Sequence, residues 1–288
     1  MSDQQYYDEK FYQAAPPGSL GDRVAIAARN QIYQAFLQRC MPSPSDRVLD
    51  VGVSDVMTGA ANVLERCYPH QEAIVAAGLG EGQDFRRAFP RVEYVRIEPD
   101  APLPFADRAF RFAVSNAVLE HVGSLDEQRR FVRELMRVAE EVFITVPNRF
   151  FPVEHHTAIP VAHFWDGSFQ AACRALNKDE WTKPENLILM TRKKLGALVP
   201  AEAGTSAVGY TGLRLGPFSS NLYLHIARTR PGGGPARREQ DGEQRRDPSQ
   251  ARPVPAMHLA GEPDERRAAG PDREEQQRRP PEVGPSPR

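Results

Sequence analysis

Cysteine is scarce in this 288-residue chain, and the three present, Cys40, Cys67 and Cys173, stand far apart with no Cys-x-x-Cys pair. Neither a disulfide framework nor a thiolate zinc site is suggested, and the three read as buried thiols in a reducing compartment, the cytoplasm. No apolar run approaches the roughly 18 residues of a membrane-spanning helix, and Met1-Ser2-Asp3-Gln4-Gln5 is polar, so neither a membrane span nor a signal peptide is expected. A charge excess is missing too. With 37 Lys and Arg against 38 Asp and Glu the net charge is -1, which argues against nucleic acid or an anionic membrane as partner, since both draw on surplus basic residues. Aromatic residues and lysine are both absent from Pro231 to Arg288, where Pro, Gly, Arg, Glu and Gln dominate. Such a stretch cannot bury enough apolar surface to offset the entropy of ordering it, so residues 229–288 are predicted to be a disordered tail. The pairs Arg237-Arg238, Arg245-Arg246 and Arg278-Arg279 offer an alternative docking role, blunted by the interspersed acids.

Upstream of the tail, strand and helix patterns alternate. Ala28, Ile32, Phe36 and Cys40 share one face of a helix predicted over 22–40, which Pro42-Ser43-Pro44 ends, so residues 1–44 form an N-terminal helical segment. Buried strands follow at 48–51, 73–77, 92–97, 110–115 and 142–146, with helices predicted over 60–66 and after Ser124-Leu125-Asp126-Glu127, a capping-box pattern. Two last strands, 210–215 and 221–225, suggest an antiparallel hairpin. This alternation implies a Rossmann-like α/β fold, a doubly wound and mostly parallel sheet with a C-terminal antiparallel hairpin.

In such sheets ligands bind beyond the carboxyl ends of the strands, and Asp50-Val51-Gly52 lies at that place after the first strand. Glycine lets the backbone approach a ligand, and an acid before it can fix the turn or meet an ammonium group. A dinucleotide site would show Gly-x-Gly-x-x-Gly; this chain has Gly52-Val53-Ser54-Asp55-Val56-Met57, and Asp55 would repel phosphate. A cationic or zwitterionic cofactor is favoured over NAD.

Three blocks, Val48-Leu49-Asp50-Val51-Gly52, Leu103-Pro104-Phe105-Ala106-Asp107 and Ser115-Asn116-Ala117-Val118-Leu119-Glu120-His121-Val122, together resemble the class I S-adenosylmethionine-dependent methyltransferases, specifically the type 11 group. The resemblance covers about 45–150 and more loosely reaches 226. It implies a methyltransferase domain over 45–228 using S-adenosyl-L-methionine. It also implies a site in which Asp50, Gly52 and Ser54 line the first turn, Glu98 or Asp100 meets the adenine amino group, and Asn116 lies near the sulfonium and acceptor. There are departures. Ser54 and Val56 replace further glycines of the turn, Gly80 stands where a ribose-gripping carboxylate is usual, with Glu81 next to it as the substitute, and Arg111 replaces an aspartate. These motivate an alternative, a binding or regulatory protein that keeps the fold without turnover.

Beyond the fifth strand, Pro147-Asn148-Arg149-Phe150-Phe151-Pro152-Val153-Glu154-His155-His156-Thr157 resembles a bacterial variant of the group. Glu154, His155, His156 and nearby His163 invite a metal reading, but they lack His-Glu-x-x-His spacing and Pro152 and Pro160 oppose a regular helix, so no metal is expected. The expected use is an acceptor wall, with His121, His155 or His156 taking a proton from a small-molecule or saccharide-type hydroxyl. A polar loop closing the sheet edge is the alternative. Residues of about 150–185 form an acceptor-side insertion. Oligomeric state has no signature in the sequence.

Overall fold

The computed structural model describes residues 18–228, so the tail predicted for 229–288 and the start of the N-terminal segment lie outside the described residues. A seven-stranded sheet comprises β1 (Val48–Val51), β2 (Ile74–Gly78), β3 (Glu93–Arg96), β4 (Phe110–Asn116), β5 (Ala139–Pro147), β6 (Thr205–Leu215) and β7 (Phe218–Ala227), in the order β3-β2-β1-β4-β5-β7-β6. The first five strands are parallel, and β7 pairs antiparallel with both β5 and β6. The chain therefore reverses direction across the sheet at β1, leaving β1 and β4 adjacent with their carboxyl ends forming a crevice.

The central strands are apolar on both faces because helices cover both. Leu49, Val51, Val75, Ala77 and Ala113 pack into one core with Val132, Leu135 and Val138 of α4 (Leu125–Val138). Their neighbours Val48, Ile74, Ala76, Phe112 and Val114 pack into the other with Tyr33 and Phe36 of α1 (Leu20–Cys40), as a two-residue repeat requires. The predicted α1 face is buried as expected, Ser19 caps the helix by accepting from the Asp22 amide, and Met41 ends it in a left-handed conformation just before Pro42. The capping box of α4 is also present.

Two elements differ from expectation. The helix predicted over 60–66 is only α2 (Val63–Cys67), because Asn62 takes a left-handed conformation and turns its amide back onto the Ser54 backbone, donating to Ser54 O at 2.8 Å and accepting from Ser54 N at 3.3 Å. The hairpin strands are longer than predicted, and Gly212, with a φ of 75°, lies in the irregularity between Thr211 and Arg214. After β2 comes the short α3 (Gln83–Ala88). The insertion after β5 holds α5 (Asp166–Ala175) and a small core of its own, Ile159, Phe169, Cys173, Trp181 and Leu187, before α6 (Arg192–Gly196).

Candidate functional site

A cavity of about 1510 Å³ opens at the carboxyl ends of β1, β2 and β4, walled on one side by α1 and on another by the loop after β5. It exceeds the roughly 300–1,000 Å³ of a single-ligand pocket, so it has room for two small molecules side by side. Among the residues expected from sequence, Gly52, Ser54, Gly80, Glu98, Asp100, Asn116, His121, His155 and His156 all line it. Asp50 and Glu81 are not on that wall.

The β1 turn is set by packing. Gly52 has a φ of 104°, and a Cβ there would lie 2.1 Å from Val118 Cγ2, so glycine is required by the approach of the β4 loop as well as by the turn. Val118 reaches this position because Ala117, left-handed at φ 57°, bends the chain sharply after β4 while donating its N–H to Thr145 O at 2.9 Å. Asp55, expected to face a ligand, instead accepts from the Gln83 and Phe85 amides at 3.0 Å each. It thereby caps α3, whose N-cap residue Gly82 has no side chain to do so.

Asp50 sits behind the turn, buried beside the carboxyl of Glu65 on α2. Burial pushes Asp50 up to about 7, opposed by its bond with Glu65 and by the Arg29 charge; Glu65 is also raised, by burial and then by the Asp50 charge. With both acids buried side by side, one proton shared between them would remove the repulsion of two buried charges. Glu81 is ion-paired with Arg96 on the surface. Glu98 pairs with the same Arg96, its carboxylate 3.5 Å from Arg96 Nε, and, unlike Glu81, it lines the cavity. Tyr94 shapes the intervening loop by donating to Gly80 O at 2.8 Å. Arg111 is engaged at the far, amino end of β4 by Glu140 and Glu141 at 2.9 and 2.6 Å, away from the cavity.

At the carboxyl end of β4, the Asn116 Oδ1 accepts from Thr145 Oγ1 at 2.6 Å and from the Arg29 guanidinium. Arg29, a cation on the inner face of α1, is a cavity residue that sequence reasoning missed. Its only signal was a place on a helix beside Ala25, Ala28 and Ile32, which also line the cavity.

The loop after β5 is organised around one buried carboxylate. Glu154 accepts from the amides of His156 and Thr157 at 3.0 and 2.6 Å, from Thr157 Oγ1 at 2.7 Å and from His156 Nδ1 at 2.8 Å. Burial alone would raise its pKa, yet the His156 bond and charge and the Thr157 donors hold it down at about 2. Burial would lower the His156 pKa, but the Glu154 bond and the charges of Glu154 and Glu120 together outweigh it and raise it. His155, between them in sequence, is exposed toward the cavity and packs on Phe151. His121 is fixed by its Nδ1, 2.6 Å from Asn186 O, and its ring meets His156 edge-on at 4.8 Å. Glu120, beside it, is buried and pushed up to about 7 by that burial, against the opposing charge of His156. His163 is not with this group. It is buried with Nε2 against Phe151 O, so the metal set first considered, Glu154, His155, His156 and His163, is not assembled.

Residues 55–141 match the family model of the methyltransferase domain, a stretch that contains Glu98, Asp100, Asn116 and His121. That match covers about a third of the chain and is to the type 11 methyltransferase domain, which supports S-adenosylmethionine as the methyl donor. No curated protein sequence matches the chain. Solved structures similar to it include a possible histamine N-methyltransferase from Thermotoga maritima, 15% identical over 78% of this chain and 96% of that one, with a TM-score of 0.49. Another is the N-methyltransferase NodS from Bradyrhizobium japonicum in complex with S-adenosyl-L-homocysteine, 11% identical over 79% and 98%, with a TM-score of 0.48.

Proposed function

We propose that the protein transfers a methyl group from S-adenosylmethionine to a hydroxyl of a small-molecule or saccharide-type acceptor, with His155 as the proton acceptor. The observation that carries this reading is the continuity of one cavity from Gly52 and Ser54, past Asn116, to His121, His155 and His156. When bound, the cofactor supplies an electrophilic methyl, so the protein's task is to hold an acceptor oxygen in line and exclude water. Arg29 is placed to hold the cofactor carboxylate, Glu98 or Asp100 its ribose or adenine amino group, and Val53, Leu79 and Ile97 its flat apolar face. His155 then takes the hydroxyl proton. His156 and His121 are less suited to that role, because Glu154 and the Asn186 carbonyl already engage a ring nitrogen of each.

A fold without turnover is not favoured, since Arg111 lies away from the cavity and Glu98 and Asp100 supply carboxylates to it although Gly80 has none. No described helix is long and apolar enough to cross a membrane. The cytoplasm, where Cys40, Cys67 and Cys173 would stay reduced, is the location we propose. The deciding experiment is a screen of hydroxylated metabolites and saccharide precursors with methyl-labelled cofactor. Label transfer to a hydroxyl supports the reading, whereas transfer only to amines or to polymers would replace it.

A further inference from the structure

We infer that Glu120, His121 and His156 form a binding site for a divalent first-row metal ion, zinc above all, at the acceptor end of the cavity. One ligand atom from each lies within 4.8 Å of the others, although Glu120-His121 belongs to the turn after β4 and His156 to the loop after β5. Bonds of about 2.0–2.2 Å place tetrahedral ligand atoms roughly 3.3 Å apart, so the three atoms need to draw together by about 1.5 Å at most to close the set. Two imidazoles and one carboxylate make up one of the standard catalytic zinc donor sets, with a coordination position left for another ligand.

Two independent features point to an ion. Glu120 is 1% exposed and neither of its carboxylate oxygens has a hydrogen-bond partner, a state too costly to leave unmet. The histidines also carry the outer partners that metal-bound imidazoles have. His156 Nδ1 is 2.8 Å from the Glu154 carboxylate and His121 Nδ1 is 2.6 Å from the Asn186 carbonyl. Each partner favours the Nδ1–H tautomer, which puts the lone pair on Nε2. Trp181 stacks on His156 with ring centroids 5.1 Å apart and fixes its plane. His121 and His156 line the cavity, so the ion borders the space where an acceptor hydroxyl would sit. That last role rests on the acceptor reading above; the metal site itself does not.

The test needs neither cofactor nor acceptor. Full-length protein is treated with a chelator, dialysed and titrated with Zn(II), with Co(II) as a spectroscopic substitute. The expected result is one equivalent bound per chain, a rise in melting temperature with Zn(II), and a Co(II) absorption spectrum of nitrogen and oxygen ligands with no thiolate charge-transfer band. Glu120→Gln should weaken Zn(II) binding about 100-fold or more and abolish the thermal shift, while His225→Ala should leave both unchanged. His225 tests the other cluster of ligating side chains among the described residues, Cys40, Glu141 and His225. A thiolate band, dependence on His225, or no stoichiometric binding by the wild-type protein would overturn the assignment, even if Glu120→Gln failed to fold.

Discussion

Gly52 and Val118 are in contact across the top of the sheet, so closely that a single carbon added to the glycine would sit 2.1 Å from the valine Cγ2. The two belong to the turns after β1 and β4, and their contact fixes the width of the crevice between those strands.

Gly52→Ala should therefore destabilise the protein by about 2 to 4 kcal/mol, combining backbone strain at positive φ with overpacking. Val118→Ala in the same chain removes only the overpacking. In a double-mutant cycle measured by urea unfolding, the two changes should couple, with the double variant more stable than the sum of the singles predicts. Strict additivity would mean that φ alone demands the glycine.

The buried pair Asp50 and Glu65 predicts a pH dependence of stability. Burial raises both acids, Asp50 to about 7, against about 3.9 for an aspartate in the unfolded chain. Between those values the folded state binds more protons, so the pair's contribution is fully present below about pH 4 and is lost as the pH rises through about 7. Glu65→Gln keeps a hydrogen donor for Asp50 and removes one of the acids. Its melting temperature relative to wild type should rise steadily from pH 5 to pH 8. A constant difference across that range would show that the pair does not share a proton.

Much of this arrangement was legible in the sequence, and the illegible parts have physical reasons. The central parallel strands β1, β2 and β4 could be read because each is a largely apolar run covered on both faces. The first half of β6 could not, since Thr205 to Ala207 are exposed and carry no pattern. Likewise Asn62 gives no sign in sequence that its amide will end a helix early by turning to Ser54. Asn116 and His121 followed from a motif, because they sit next to a strand end. The meeting of Glu120 with His156 depends on two loops brought together by the pairing of β4 with β5, which spacing along the chain does not encode.

The cofactor side offers a contrast between carboxylates. Glu98→Gln should weaken binding of S-adenosylmethionine by about 1 to 3 kcal/mol if its carboxylate accepts from the ligand, whereas Glu81→Gln, changing a surface pair with Arg96, should alter it little. Arg29→Met should cost a similar 1.5 to 3 kcal/mol, as expected for a hydrogen bond to a charged group. Calorimetric titration of the three variants decides. A loss confined to Glu81→Gln would return the ribose contact to that residue, and an unchanged Arg29→Met would remove α1 from the cofactor site.

On the acceptor side, the adjacent histidines should separate cleanly, because their surroundings differ. His155 is exposed and packs on Phe151, whereas His156 is the histidine hydrogen-bonded to Glu154, so His155→Ala should leave the melting temperature nearly unchanged and lower turnover about 100-fold or more, the usual contribution of a positioned proton acceptor. Its affinity for S-adenosylmethionine should also be unaffected. His156→Ala removes a ring donor to a carboxylate that is 3% exposed, and losing a hydrogen bond to a buried charged group costs about 1.5 to 3 kcal/mol even where other donors remain. This variant should melt at a clearly lower temperature, whatever its turnover. If His155→Ala retained full activity on the acceptor found by screening, proton removal would pass to His121, His156 or solvent. If His156→Ala were as stable as the parent, the Glu154 bond would not be what holds the loop in place.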